Sequence, residues 1–223
     1  MPTLYPLGDH ALLVDWGQRL DAAVNGEVHR LARALRARRY PGMEDVVPAY
    51  ASLALHWDPE ADPDGGDPMG VWEARIARLL AEEGETAEKG HRTVEIPVRY
   101  GGGNGPDLGE AASVAGMSEK DYAARHAAGL YRVYMLGFTP GFPYLGGLDP
   151  ALAAPRRATP RSRVPAGSVG IAGLQTGIYP SESPGGWQLI GRTDAVLFDP
   201  LSPEPALLGP GDQVRFLMVE GPP

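Results

Sequence analysis

LGFTPGFPYLGG, residues 136–147, places four glycines, two prolines and three aromatic rings within twelve positions. In a helix Pro140 and Pro143 would each remove an amide donor and clash with the preceding turn, and the glycines add an entropic cost. A central strand is disfavoured for the same want of donors. The segment therefore reads as a loop of fixed shape, stiffened by its prolines, with Phe138, Phe142 and Tyr144 as rings to bury. Such a loop is either a structural corner or the wall of a site. From Tyr131 onward the same punctuation recurs: glycine and proline separate short apolar runs, and PGDQVRFLMV (210–219) supplies a closing strand. Many short strands between tight turns predict a β-barrel or a sandwich.

Toward the N-terminus, TVEIPVRY (93–100) alternates cleanly, with Val94, Ile96, Val98 and Tyr100 on one face. Its Pro97 predicts a sheet edge or a strand irregularity. Two short helices follow. Asp107 is placed to cap one before LGEAASVAG, and Ser118 with Asp121 forms a capping-box pattern before DYAARHAA. The first ninety residues are built differently. HALLVDW (10–16) reads as a strand, and residues 21–39 read as a helix with Val24, Val28, Leu31, Ala32 and Leu35 on one face. Arg30, Arg33, Arg36 and Arg39 cover its other side, and a solvated face is the preferred reading of that run. YASLALHW (50–57) has the period of a half-buried strand, and Asp67 with Pro68 starts a second helix striped by Trp72, Ile76, Leu79 and Leu80. AEEGETAEKG (81–90) is charged and bounded by glycine, the composition of a linker. The expectation is a small N-terminal α/β domain over 1–90 and a β-rich domain over 91–223.

Composition bounds the chemistry. The 223 residues are 43% apolar, enough to fill a core without staples. There are no cysteines, which removes disulfides, thiolate nucleophiles and zinc–thiolate sites. A net charge of −8 argues against a generic nucleic-acid binder. The N-terminal stretch lacks a basic start followed by a long apolar run, and no later stretch approaches a membrane span, so a cytoplasmic location is expected. Neither Lys89 nor Lys120 follows a glycine, so no phosphate-binding loop with lysine can be built. His10, His29, His56, His91 and His126 lack metal-ligand spacing, and Ala166 breaks the serine-elbow pattern around Ser168.

What remains is PRRATPRSRVPAGSVGIAGLQTGIYPSESPGGWQLIGRT (155–193). It brings Arg156, Arg157, Arg161, Arg163 and Arg192 into one stretch with Gln175, Tyr179 and Trp187. Arginine forks hold carboxylate or phosphate, and glutamine reads an amide by donating and accepting at once. The competing reading pairs the arginines with Asp and Glu and places the aromatic rings in the core. GGGNG (101–105) reads as a turn rather than a phosphate site.

YRVYMLGFTPGFPYLGGLD (131–149), PRRATPRSRVPAGSVGIAGLQTGIYP (155–180) and SPGGWQLIGRTDAVLFDP (183–200) resemble the family that includes the B subunit of bacterial 5-oxoprolinase, the kinase inhibitor KipI and the first subunit of allophanate hydrolase. The resemblance runs from GDHALLV (8–14) through VRYGGGNGPDL (98–108) to LLGPGDQVRF (207–216). It implies an α+β chain with an N-terminal α/β domain followed by a cyclophilin-like β-barrel domain. It also implies one component of an ATP-dependent 5-oxoprolinase, inactive alone, that works with subunits A and C on 5-oxo-L-proline. The alternatives are an inhibitor that binds a sensor histidine kinase and a subunit of the urea carboxylase and allophanate hydrolase pathway. On the enzyme reading, Arg161, Arg163 and Arg192 are expected to contact anions, with Arg163 at the chemistry. Gln175 and Tyr179 orient substrate, Tyr134 and Phe142 contact it, and His126 carries a proton. ATP, with Mg2+, is expected to be bound together with the partner subunit, and no intrinsic metal is expected.

Overall fold

Asp21 starts the first helix by accepting the backbone N–H groups of Ala23 and Val24 on its carboxylate, and α1 then runs Ala22–Arg38. Arg39 ends it in the left-handed region at φ 46°. These features belong to a computed structural model that describes residues 2–17, 21–61, 67–82 and 92–220. Its contacts divide the chain into two compact units, Met1–Lys89 and Gly90–Pro223. The linker expected over 81–90 lies, from residue 83 onward, outside the described residues.

In the first unit, β1 (Thr3–Pro6), β2 (Ala11–Asp15), β3 (Met43–Pro48) and β4 (Ser52–Trp57) form one antiparallel sheet in the order β1-β2-β4-β3. Leu12, Val14, Leu53, Leu55 and Trp57 pack with the α1 stripe of Val28, Leu31, Ala32 and Leu35 and with Trp72, Ile76 and Leu79 of α2 (Pro68–Ala81). The arginine face of α1 is partly used within the unit: Arg36 donates to the carbonyl of Val46 at 2.6 Å, and Arg30 pairs with Glu27 and reaches the Leu79 carbonyl.

The second unit is a barrel. It contains β5 (Thr93–Tyr100), α3 (Leu108–Val114), α4 (Glu119–Ala127), β6 (Leu130–Leu136), β7 (Pro143–Gly146), β8 (Arg161–Val164), β9 (Ser168–Ala172), β10 (Gln175–Ile178), β11 (Ser183–Gly185), β12 (Gln188–Arg192) and β13 (Gln213–Met218). Seven strands close in the order β10-β7-β6-β13-β5-β12-β9, while β8 and β11 make a separate two-stranded ribbon. Only β5 and β13 run parallel among these ladders. This is the cyclophilin-like barrel implied by the resemblance, in an α+β chain. Pro97 sits inside the closed sheet, yet β12 pairs with β5 only at Arg99 and Tyr100, so one side of the strand is open at the proline. GGGNG is a turn: the Asn104 and Gly105 amides both donate to the Gly101 carbonyl, and a side chain on Gly105 would overlap the Ile190 carbonyl. Ser118 accepts the Asp121 amide at 3.1 Å and donates to its carboxylate at 2.6 Å, starting α4.

Ile96, Val98, Tyr131, Val133, Val169, Ile171, Ile178, Val214 and Phe216 fill the barrel, with Tyr122 and His126 of α4 inserted among them. The 136–147 segment is not a loop throughout: residues 137–142 turn, but Pro143–Gly146 enter the barrel as β7 between β6 and β10, with Pro143 at the strand's first position where its missing donor is tolerated. Phe142 and Tyr144 of this segment close a smaller cluster with Val164, Ala172, Tyr179, Trp187 and Leu189.

Candidate functional site

Asp107 stands immediately before α3, where a capping role is expected, but its carboxylate makes no capping bond. It is 4% exposed and instead accepts from Arg157 Nη1 at 3.0 Å, from Arg161 Nη1 and Nη2 at 2.9 and 2.7 Å, and from the Leu189 amide at 2.7 Å. A charge buried this deeply requires donors in place of water, and two arginines supply most of them. The consequence is positional. Residues 157–161 are pinned against α3 and the start of β12, and the Arg157 amide adds a 2.8 Å bond to the Gly186 carbonyl.

Beside this clamp lies a cavity of about 170 Å3 walled by Phe138, Phe142, Tyr144, Tyr179 and Trp187, and lined as well by Arg156 and by Pro184, Gly185 and Gly186 at the end of β11. Phe142, Tyr179 and Trp187 are each under 5% exposed. Phe142 meets Phe138, Tyr179 and Trp187 edge-on at centroid distances of 5.6, 5.2 and 5.6 Å, so its orientation is fixed from three sides. Trp187 approaches this closely because Gly170 and Gly177 stand where a side chain would crowd its Cβ and its ring respectively. Burial pushes the Tyr179 hydroxyl pKa up, opposed by the Trp187 backbone donor and by the Arg156 and Arg161 charges. Burial likewise raises that of Tyr144, and Arg156 opposes it. Both rings thus sense the same cation, and both stay protonated near neutral pH.

Arg156 also borders a second, polar cleft of about 340 Å3, lined with Arg157, Thr159, Glu110 and Gln188. Arg157 Nε and Gln188 Oε1 are buried there without a hydrogen-bond partner among the described residues.

Of the eight residues expected from sequence to form a site, the structure brings together Phe142 and Tyr179 on the cavity wall; Arg161, held by Asp107, does not line the cavity but its charge reaches the Tyr179 hydroxyl. Arg163 lies on the β8–β11 ribbon, 76% exposed, in a two-bond pair with Glu182. Exposed Arg192 donates to the Ala166 carbonyl at 2.9 Å, and half-buried Gln175 opens β10. Tyr134 packs its ring over Gly146, where a side chain would overlap it. None of these four lines the aromatic cavity.

His126 is fully buried inside the barrel, stacked on Phe216 at 4.8 Å. Thr176 Oγ1 donates its one proton to the Gly170 carbonyl, so His126 Nε2 must donate to Thr176 Oγ1 at 3.0 Å. That leaves Nδ1 to accept from the Tyr100 hydroxyl at 2.8 Å. Burial pushes the imidazole pKa down to about 3, so the ring is neutral.

Sequence reasoning gave Asp107 a capping role and named Arg156 within the arginine stretch, but assigned neither to the site. The partners of Asp107 lie 50, 54 and 82 positions away, beyond any local motif. Arg156 is one of four arginines within eight residues, and only the fold separates it from those bound to carboxylates.

Comparison with known proteins agrees with this architecture. The family model described as "Carboxyltransferase domain, subdomain C and D" matches residues 2–208. The 5-oxoprolinase B subunit of Escherichia coli O157:H7 is 58% identical over 215 residues, covering 96% of this chain and 94% of that one. The protein of the same name from Bacillus subtilis is 45% identical over 218 residues, covering 96% and 91%. Among solved structures, TTHA0988 superposes with a TM-score of 0.80 at 46% identity, covering 96% of this chain. This chain spans 40% of the length of TTHA0988. A family model spanning nearly the whole chain and relatives this similar along their full length leave one assignment: the chain belongs to the carboxyltransferase subdomain C and D family, the family of the 5-oxoprolinase B subunit.

Proposed function

We propose that this chain is the B subunit of an ATP-dependent 5-oxoprolinase, which opens the lactam of 5-oxo-L-proline to give L-glutamate together with partner subunits A and C. The likeness to two chains named as 5-oxoprolinase B subunits, each along almost its full length, carries this reading. Hydrolysis breaks the ring C–N bond, places the oxygen of water on the new carboxylate and leaves the ring nitrogen as an amine. A five-membered lactam is a stable amide, and ATP, when bound, supplies the phosphoryl group that activates its oxygen. No feature of the described residues favours the kinase-inhibitor or urea-pathway alternative.

The fit of ATP to this chain divides in two. The polar cleft is lined by Arg156, Arg157 and Thr159, side-chain types suited to phosphate oxygens. Its lining includes no aromatic or aliphatic slot for a nucleoside. Among the described residues, no group of three or more His, Asp or Glu side chains is arranged to hold a metal. We therefore assign the nucleoside and Mg2+ ligands to a partner subunit, with this chain presenting arginine to the phosphates. On this reading the chain alone is inactive and the complex works in the cytoplasm, where ATP is supplied. No helix among the described residues is long and apolar enough to cross a membrane.

Within this chain, Phe142 and Tyr179 exclude water from one side of the site, and Arg161 adds positive charge where the lactam oxygen gains negative charge. Arg192, exposed at the end of β12, is suited to meeting an anion brought by a partner, and exposed Arg163 could do so only by exchanging Glu182 for that anion. His126, neutral and enclosed, holds the barrel interior in register instead of carrying the reacting proton.

The test is glutamate release from 5-oxo-L-proline with ATP by the three-subunit mixture, leaving out one component at a time. Activity that vanishes without this chain is the expected result. Undiminished activity in its absence overturns the assignment.

A further inference from the structure

We propose that the aromatic cavity of the barrel unit is a subsite for a small ring bearing a carboxylate, with Arg156 as the residue that receives the carboxylate. Resting on the function proposed above, the ring is the lactam of 5-oxo-L-proline.

Size limits the ligand first. A space of about 170 Å3 lies below the roughly 300–1,000 Å3 of pockets that take drug-sized ligands. A nucleotide does not fit, whereas a single five-membered ring does. The walls then define its character. Phe142, Tyr179 and Trp187 are buried and locked in mutual contact, so the surface they present is preformed and loses little freedom on binding. Rings of this kind pack against the apolar CH2 side of a small ring, and the Tyr144 and Tyr179 side chains in the same wall carry hydroxyls able to pair with its amide.

Charge supplies the orientation. The neighbouring arginines are already committed: Arg157 and Arg161 to Asp107, Arg163 to Glu182. Arg156 directly precedes them in sequence, is exposed, and forms no ion pair among the described residues. Its backbone is nevertheless fixed, because the next residue is tied to Asp107 through its side chain and to Gly186 through its amide. An uncommitted guanidinium held at the rim of an aromatic cavity matches a carboxylate attached to the ring inside.

The mouth carries a further sign of specialisation. Phe138 adopts φ +70°, a left-handed conformation costly for a bulky side chain, and leaves its ring 61% exposed while its edge meets Phe142. Strain of this kind persists where surrounding structure imposes it, and here it sets an aromatic ring over the entrance.

The experiment uses the three-subunit complex and the full-length chain in parallel. In the complex, Arg156→Ala is expected to raise KM for 5-oxo-L-proline at least tenfold, with Arg156→Lys between the two. In the chain alone, binding is read by the fluorescence of Trp187, identified with a Trp187→Phe control, and by ligand-observed NMR. The wild type is expected to prefer 5-oxo-L-proline over 2-pyrrolidinone, the same lactam without its carboxylate, and Arg156→Ala to abolish that preference. Because Arg156 is exposed, an unchanged melting temperature separates these effects from misfolding. If turnover requires this chain but the Arg156→Ala complex keeps the wild-type KM, the subsite is overturned and the functional reading stands. If turnover does not require this chain yet it binds 5-oxo-L-proline through Arg156, the functional reading falls and the subsite stands. If the KM is unchanged and the chain shows no Arg156-dependent preference between the two lactams, the subsite is overturned outright.

Discussion

Asp107 grips Arg161 with two parallel hydrogen bonds, Nη1 to Oδ2 at 2.9 Å and Nη2 to Oδ1 at 2.7 Å, while the same carboxylate also holds Arg157 and the Leu189 amide. One buried charge thereby joins the start of α3, the start of β12 and the 157–161 segment, which borders the polar cleft and follows Arg156, a residue that lines both clefts. Removing it strands a backbone donor and two guanidinium groups. The arginine side chains are 32% and 23% exposed, so water recovers part of the loss. Asp107→Ala is expected to cost about 3 kcal/mol, the lower end of the range for breaking a buried ion pair, measured by urea denaturation. Asp107→Asn, which retains one acceptor oxygen, is expected to fall between the alanine variant and the wild type. A loss too small to resolve would show that the clamp contributes no net stability.

The enclosed imidazole predicts a pH dependence with a definite sign. In the unfolded chain His126 titrates near 6.5, whereas burial lowers its folded pKa to about 3. Between those values the unfolded state binds the extra proton. Stability from this group is therefore complete above about pH 6.5 and is lost as pH falls toward 3, with a slope approaching about 1.4 kcal/mol per pH unit. The groups packed around the ring are the hydroxyls of Tyr100 and Thr176 and the rings of Tyr131 and Phe216, none of them anionic near neutral pH. Denaturation midpoints compared between the wild type and His126→Gln across pH 4–7 check it: the variant is expected to be less stable at pH 7 and to lose less on acidification.

Much of this molecule is legible in the sequence where the signal is local. The cap at Asp21, the stripe from Val28 to Leu35, the alternation of 52–57 and the capping box at Ser118 each depend on residues a few positions apart, and each element formed where they indicate. The strand Met43–Pro48 carries little such signal. It is an edge strand with Glu44 and Asp45 turned to solvent, so only Val46 among its residues is fully buried. The 136–147 segment could be read as rich in turns, since Pro and Gly act within the chain, but not as supplying the barrel strand Pro143–Gly146, whose partners β6 and β10 are set by closure. Which rings it would meet could not, because Tyr179 and Trp187 reach Phe142 only through barrel closure. The same limit applies to the arginines. A run of identical cations gives no local reason why two should clasp Asp107, one should pair with Glu182 and one should stay uncommitted.

Gly146 and Tyr134 illustrate a contact of that distant kind with a sharp expectation. They lie on paired strands, Gly146 opposite Arg132 and Tyr134 at the register shift two residues on, and a methyl group at 146 would overlap the Tyr134 ring. Gly146→Ala is expected to destabilise the barrel by about 1–3 kcal/mol, the usual range for overpacking a filled site. Combining it with Tyr134→Ala is expected to be less damaging than the sum of the two single changes, because the clash disappears with the ring. Strict additivity in a double-mutant cycle would refute direct contact as the cause.

Phe138 separates backbone strain from ring contact when two substitutions are compared. Both Phe138→Ala and Phe138→Gly delete the edge-on contact with Phe142, so that loss is common to them. They differ in what occupies φ +70°. Alanine retains the Cβ that makes the left-handed region unfavourable, by roughly 1–2 kcal/mol, whereas glycine enters it freely. Glycine also widens the unfolded ensemble, which offsets part of its advantage. The glycine variant is therefore expected to exceed the alanine variant by about 1 kcal/mol in folding stability, measured by chemical denaturation. Both are expected to weaken 5-oxo-L-proline binding to a similar degree, because both open the mouth of the cavity. Equal stabilities would mean that the loop relaxes out of the left-handed conformation once the ring is gone, placing the origin of the strain in the contact between Phe138 and Phe142.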